Sequence, residues 1–284
     1  MTLGEWLDTW LELYVWPADL AQNTKLCYNR AVKAVPAELR GSELHTLSPI
    51  TIRRWLLDVA ARHPRAAQLD RVMLMRALTL AYKAGEAPQR LSDPDLLPQV
   101  AHKAAKAAVL TREQLRAYLD AAAKEPAAVP LMLMACGLRR GEALGAKWEC
   151  LDLAAGTLAV VGQRLPSGDY APPKTAASVR TIVLPHQLKV VLQRMPRPIG
   201  GGWLCDIPSR SLYYAHARVL RGAQLPAVTL HGLRHSFATA AVQQGVPIKV
   251  LQAALGHSKY QLTADLYADH LPQVSTVPTR VFSA

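Results

Sequence analysis

Only one stretch of this 284-residue chain reads as strand. Between Thr157 and Pro185 lie TLAVVG, GDYAP and VRTIVLP, segments with β-branched content and turn residues around them. They predict a small antiparallel sheet, with WECLDL just ahead of it. The rest is patterned for helices. Leu3, Trp6, Leu7, Trp10, Leu11 and Tyr14 recur at i, i+3, i+4, i+7, i+8 and i+11, which predicts one helix over residues 3–15 with a single apolar stripe. A second helix is expected at about 23–35 with Asn23 as its cap. Ser48-Pro49 is a cap followed by proline at the first helical position, and it starts a helix through IRRWLLDVAARH. A fourth, at about 66–84, carries Leu69, Val72, Met73, Arg76 and Leu80 and closes at Gly85. The expected class is therefore mainly α with a small antiparallel β-sheet.

The length favours two domains, or one large one. The first four helices define a small helical domain over residues 1–90, and the Pro- and Ala-rich stretch over 86–110 reads as a linker, placed at 91–110. A second, mixed α/β domain over 111–284 opens with the capping box Thr111-Arg-Glu-Gln114. An apolar helix, VPLMLMACGLRRGEAL, precedes the sheet. HQLKVVLQRM and SLYYAHARVL follow it, and the chain is expected to be helical to its end.

The formal charge of +12 is unevenly spread: residues 1–106 carry +3 and residues 107–284 carry +9. An anionic partner follows, and nucleic acid or a membrane surface are the usual ones. No run of about 18 apolar residues predicts a membrane span, and the amphipathic, acidic N-terminus does not resemble a signal peptide. Cys27, Cys136, Cys150 and Cys205 are far apart without a CxxC, so neither a disulfide framework nor a metal site is expected. Reduced thiols in a cytoplasm are the simplest reading.

The stretch from His231 to Tyr267 holds an imidazole and a guanidinium three residues apart, then Leu255-Gly256-His257 and a phenol. On a helix Leu230, Leu233, Phe237, Ala240 and Ala241 share one arc, with Arg234 at its margin, His231 about 60° away, and Gly232, Ser236 and Thr239 opposite. A surface His and Arg without a role would look the same. Arg139 follows the apolar run LMLMAC, and an Arg there needs an anionic partner because unpaired burial is costly. Glu142, at i+3, is the ordinary partner and a phosphate is the functional one, since the planar fork meets two oxygens at once. Lys174 sits in PPKTAASVRTIVLP, where a hairpin-tip lysine could enter a cleft or simply face solvent. Tyr260 precedes Tyr267 by two helical turns, and geometry alone does not choose between them. In the first domain Arg53, Arg54, Arg62, Arg65, Arg71 and Arg76 could track a phosphate backbone, and a solvated helix face explains them as well.

Together GLRRGEAL, PKTAASVRTIVLP, HGLRHSFAT and ALGHSKYQLTADLY resemble, in order and with similar spacing, the boxes of the tyrosine recombinase, or phage integrase, family. The resemblance covers nearly the whole chain, because the N-terminal helices look like that family's core-type DNA-binding domain. It implies a site-specific recombinase that cuts and rejoins DNA through a 3′-phosphotyrosyl bond without metal, ATP or other cofactor. It gives roles to residues. Arg139 and Arg234 clamp the scissile phosphate, Lys174 protonates the leaving 5′ oxygen, and His231 positions or deprotonates the nucleophile. His257 hydrogen-bonds the phosphate, Tyr267 attacks, and Glu142 supports. Arg53, Arg54, Arg71 and Arg76 are the candidate DNA contacts. The family's tyrosine follows Leu-Gly-His by nine or ten residues, and Tyr267 lies ten after His257, which selects it over Tyr260.

Two departures stand out: Gly232 occupies a position that is often acidic, and the nearest His beyond the tyrosine, His270, lies three away rather than two. No extra N-terminal arm-binding region is apparent, so the resemblance implies a minimal two-domain member. It further implies double-stranded DNA bearing a specific recombination site, a homotetramer in the synaptic complex, a possible accessory directionality factor and no membrane. The setting would be the cytoplasm of a bacterial cell or phage-infected host, with a mobile element (prophage integration or transposition) or chromosome dimer resolution as the task. Competing readings are a nicking and relaxing enzyme like a type IB topoisomerase, and a DNA-binding protein that kept the fold without catalysis.

Overall fold

A computed structural model of the protein describes residues 1–97, 99, 108–173 and 178–256. It is mainly helical with two small antiparallel sheets and falls into two compact units, Met1–Ala105 and Lys106–Ala284. No helix of the described residues is long and apolar enough to cross a membrane.

In the first unit, helix α1 (Leu3–Trp10) starts at a capping box in which Thr2 and Glu5 exchange bonds. Leu3, Trp6, Leu7 and Trp10 are buried on its apolar stripe, and the Trp6 indole donates to Ala77 O at 2.9 Å. The expected helix over 3–15 changes register after Trp10: Leu11–Val15 winds as a π-turn. Helix α2 spans Gln22–Ala34 and begins after Ala21 with no side-chain cap, so Asn23 is not its cap. A short α3 (Ala37–Arg40) was not foreseen. Helix α4 (Pro49–Arg62) is capped by Ser48, whose Oγ accepts from the Ile50 N–H, as its sequence predicts.

Helix α5 (Pro64–Lys83) ends just before Gly85, whose φ of +79° suits glycine. Its buried face is Ala67, Met73, Leu74, Ala77, Leu78 and Ala81, while Leu69 and Val72 are exposed. The expected stripe was thus rotated by about one position, because alanines fill the close helix contacts. The stretch read as a linker is folded in its first part: Leu91, on a 3₁₀ turn over Gln89–Ser92, and Leu97 are fully buried in this core.

The second unit begins with α6 (Arg112–Ala122), which carries the foreseen capping box on Thr111. The apolar helix expected next is broken in two. Helix α7 (Ala128–Ala135) is buried on every side, and α8 (Arg140–Leu144) leaves at a new angle. Gly137 makes the break. Its φ is +93°, and a Cβ there would lie 2.7 Å from the Phe237 ring. A mixed set of strands follows. Strands β1 (Leu151–Asp152), β2 (Thr157–Val160) and β5 (Arg180–Val183) form one sheet in the order β1-β2-β5. Strand β4 (Tyr170–Ala171) does not join it as expected, but pairs with β3 (Gln163–Arg164) in a separate ribbon. Helices α9 (His186–Arg194), α10 (Ser209–Gly222), α11 (Leu230–Gln243) and α12 (Ile248–Leu255) follow, and the helix expected from there to the end of the chain lies outside the described residues.

Helix α11 is not the one-faced helix its periodicity suggested. Gly232, Ser236 and Thr239 are buried along with Leu230 and Leu233. Their face is covered by the chain entering the unit: Ser236 Oγ accepts from Leu110 N at 2.8 Å and donates to Gly232 O at 2.7 Å. Small polar residues fit such a face because their hydroxyls satisfy buried backbone groups.

Candidate active site

The site is built where α8, α11, α12 and β5 meet. The Gly137 turn places Arg139 at the start of α8, where its backbone N–H donates to Glu142 Oε2 at 2.9 Å and its guanidinium to Glu142 Oε1 at 2.8 Å. Arg234, one turn into α11, points into the interior and is 3% exposed. It donates to Gly137 O at 2.7 Å and to Leu255 O at 2.8 Å. Helix α11 is aimed by its own start. Thr229 Oγ1 accepts from Gly232 N at 2.9 Å, and the preceding Val228 carbonyl is 2.8 Å from Nε2 of the buried His216, whose Nδ1 meets Tyr118 OH at 2.8 Å. Gly232 also answers one sequence departure. A Cβ there would be 3.3 Å from Thr229 Oγ1 and Val228 Cβ, so this packing leaves little room for an acidic side chain.

The C-terminal turn of α12 is the hub. Three successive carbonyls accept from three different arginines: Ala254 O from Arg180 at 2.7 Å, Leu255 O from Arg234 at 2.8 Å, and Gly256 O from Arg139 at 2.9 Å. The last carbonyls of a helix have no partner within it and form the negative end of its dipole. Gly256, at φ +65°, turns the chain out of the helix so that its own carbonyl joins the set.

The charges do not cancel. Glu142 is the one carboxylate paired with these arginines among the described residues, and it serves both Arg139 and Arg180, the latter at 2.9 Å. Burial alone would push the Glu142 carboxyl up, but the hydrogen bond and charge of Arg180, and then Arg139, hold it below the ordinary range. Arg234 has no carboxylate partner among the described residues. Burial, then the neighbouring Arg139, depress its guanidinium to about 9, with Glu142 offsetting part of the effect. The guanidinium remains charged at neutral pH. Such a site is poised for an anion with several oxygens, which would meet the Arg139 side chain, 37% exposed, and Arg234 behind it. His231 sits at the exposed rim, its ring edge-on to His235 at 4.7 Å. Desolvation of the ring, then the charges of His235, Arg234 and Arg139, lower its pKa from the ordinary 6.5, which favours the neutral ring at pH 7.

The structure thus brings together Arg139, Glu142, His231 and Arg234. Lys174, His257, Tyr260 and Tyr267 lie outside the described residues. Of the first unit's arginines, Arg53 and Arg54 are exposed. Arg71 is engaged by Leu97 O at 2.6 Å, and Arg76 by the Tyr28 hydroxyl and ring. Arg180 was missed by sequence reasoning. The alternation of Arg180, Ile182 and Leu184 against exposed Thr181 and Val183 carried the signal, since it puts an arginine on the inward face of a strand.

A model of the phage integrase family matches residues 207–273, across α10, α11 and α12. The tyrosine recombinase XerD of Caulobacter vibrioides is 27% identical over 297 aligned positions that cover 96% of each chain. Along nearly its whole length the chain is thus similar to a tyrosine recombinase. A XerC-like tyrosine recombinase of Caldanaerobacter subterraneus is 29% identical over 51% of this chain. Together with the XerA of Thermococcus kodakarensis it is matched only in part: the chain spans 46% and 59% of the lengths of these two relatives. The fold is shared with the Tn1549 transposon integrase in complex with a circular intermediate DNA (TM-score 0.78, 20% identity, 99% of this chain and 98% of that one). It is shared as well with a lambda integrase dimer bound to a core site (TM-score 0.71, 19% identity, 97% and 98%).

Proposed function

We propose that the protein is a site-specific DNA recombinase that cleaves and rejoins DNA through a tyrosine–phosphate bond. The observation that carries this reading is the buried Arg234, held by two carbonyls and without a carboxylate partner among the described residues, beside the half-open Arg139. The scissile phosphate supplies the missing negative charge. Its two non-bridging oxygens are met by the two guanidiniums, which stabilise the charge that spreads over them during transfer. The Tyr267 hydroxyl attacks phosphorus, the 5′ oxygen leaves with a proton from Lys174, and a 3′-phosphotyrosyl ester forms. The ester keeps the bond energy of the cut strand, so the free 5′ hydroxyl can reverse the step without ATP. His231 takes the tyrosine proton or orients the hydroxyl, and His257 bonds the phosphate. The first unit serves as the core-type DNA-binding domain, with Arg53 and Arg54 the exposed candidates for phosphate contact. By likeness to lambda integrase, of which a tetramer is bound to a Holliday junction, four copies act together on paired recombination sites, with room for an accessory directionality factor. The cytoplasm of a bacterial cell or infected host is the fitting setting.

The test is to incubate the protein with fragmented, nicked genomic DNA of its source and recover SDS-resistant, protease-sensitive complexes. One sequence class should be enriched in them. DNA retained only without SDS would leave a binding protein and overturn the reading. The same adduct gives a pH expectation. Because His231 is depressed below 6.5, the rate at subsaturating DNA, which reports the free protein, should be flat from pH 7 to 8 and fall in acid with a midpoint below 6.5. A midpoint above 7 would contradict His231 as the base.

A further inference from the structure

We propose that Arg180 is a positioning residue for DNA cleavage, a buried guanidinium that fixes both clamp arginines by tying Glu142 to the end of α12. The proposal rests on the phosphate-clamp reading above. Arg180 lies on β5, and its side chain is 7% exposed, so it cannot reach DNA itself. It spends its fork on three separate segments: Glu142 Oε2 at 2.9 Å, Ala254 O at 2.7 Å and Ser178 O at 3.0 Å. A simple counterion for Glu142 would need only the first. The second docks the same turn of α12 whose next two carbonyls hold Arg234 and Arg139. The third holds the strand's own approach, four residues after Lys174 in sequence.

Gly256 records how tight the arrangement is. A Cβ there would lie 2.9 Å from an Arg180 terminal nitrogen and 3.3 Å from its central carbon. The guanidinium therefore occupies the space that a side chain at Gly256 would need. Without Arg180, two things follow. The α12 turn loses a strand-borne anchor, so Arg234 and Arg139 lose the fixed acceptors that aim them. Glu142 also turns wholly to Arg139, drawing its charge away from the phosphate. Both changes act on the clamp at the scissile phosphate and leave the other phosphate contacts as they were.

The test uses the full-length protein and a nicked duplex carrying the recovered site. Adduct formation is followed in single turnover over a range of DNA concentrations, for parent, R180M and R180K. R180M should lower the maximal rate about 100-fold, the scale of losing one preorganised transition-state donor. Its half-saturating DNA concentration should stay within roughly threefold, because phosphate contacts elsewhere set affinity. R180K keeps a charge beside Glu142 but cannot span three acceptors, so it should recover part of the rate, to about tenfold below parent. Thermal melts confirm that the variants are folded, and if R180M does not fold, R180K alone decides. A folded variant cleaving within threefold of parent, or one whose rate loss is matched by a loss of DNA affinity, overturns the proposal. A parent that forms no adduct overturns the clamp reading instead.

Discussion

Arg234→Ala is expected to slow formation of the covalent adduct by about 10³-fold or more while changing thermal stability little. The two effects separate because Arg234 is expensive to bury. Its guanidinium is 3% exposed and has no carboxylate partner among the described residues, so the free protein carries the desolvation cost of a cation. Truncation relieves that cost, but it strands the Gly137 and Leu255 carbonyls, each worth about 1–3 kcal/mol when buried without a donor. The two terms oppose each other in stability. In catalysis they do not, because the charge that was costly alone is what the phosphoryl transition state needs. Arg234→Lys should be an intermediate case, since an ammonium cannot serve two carbonyls and an oxygen anion in one plane. Single-turnover rates set beside melting temperatures check this. A variant that loses stability and rate together would make Arg234 structural.

Glu142→Ala should be the most destabilising single change at the site, by about 3–5 kcal/mol, the usual result of removing one partner of a buried ion pair. Glu142 is 5% exposed and leaves behind two arginines, one of them Arg180 with a 7% exposed side chain. For a unit of this size that is roughly a 10 °C fall in melting temperature. Glu142→Gln should cost less, since an amide oxygen still accepts. The pH dependence has a definite sign. The folded carboxyl is held below its ordinary 4.5, so its contribution is complete above that value and is lost as pH falls below it. Melts of both variants from pH 7 to about pH 3 test the point: the gap between parent and Glu142→Ala should hold down to about pH 5 and narrow below 4.5, and a gap still constant at the acid end would contradict the ion pairing.

What could be read from residues in order was whatever local chemistry decides. Ser48 and Thr111 cap helices because their hydroxyls reach N–H groups two or three residues on. Trp6 and Trp10 lie on one stripe because 3.6-residue periodicity puts them there. Arg139 with Glu142 was legible as an i, i+3 pair. What was hidden depends on parts distant in sequence. Gly137 looked like one residue of a continuous helix, and only the Phe237 ring against it shows why the chain must turn. Strand β4 pairs with β3 rather than with the main sheet, a choice made by packing rather than by strand content. The face of α11 bearing Ser236 and Thr239 looked solvated because its cover, the segment at Leu110, is 126 residues away. Arg180 was overlooked for the same reason. Two of its three partners, Glu142 and Ala254, are 38 and 74 residues distant, and no motif spacing announces them.

The central claim is that a tyrosine, chosen by its distance from the Leu-Gly-His turn, becomes joined to DNA inside this arginine pocket. The most direct measurement is peptide mapping by mass spectrometry of the trapped adduct, with Tyr267→Phe and Tyr260→Phe variants run in parallel. The nucleotide should be found on the peptide containing Tyr267. The Tyr267→Phe protein should bind DNA and give no adduct, and Tyr260→Phe should react like the parent. An adduct that persists in Tyr267→Phe, or a nucleotide carried on Tyr260, would contradict it.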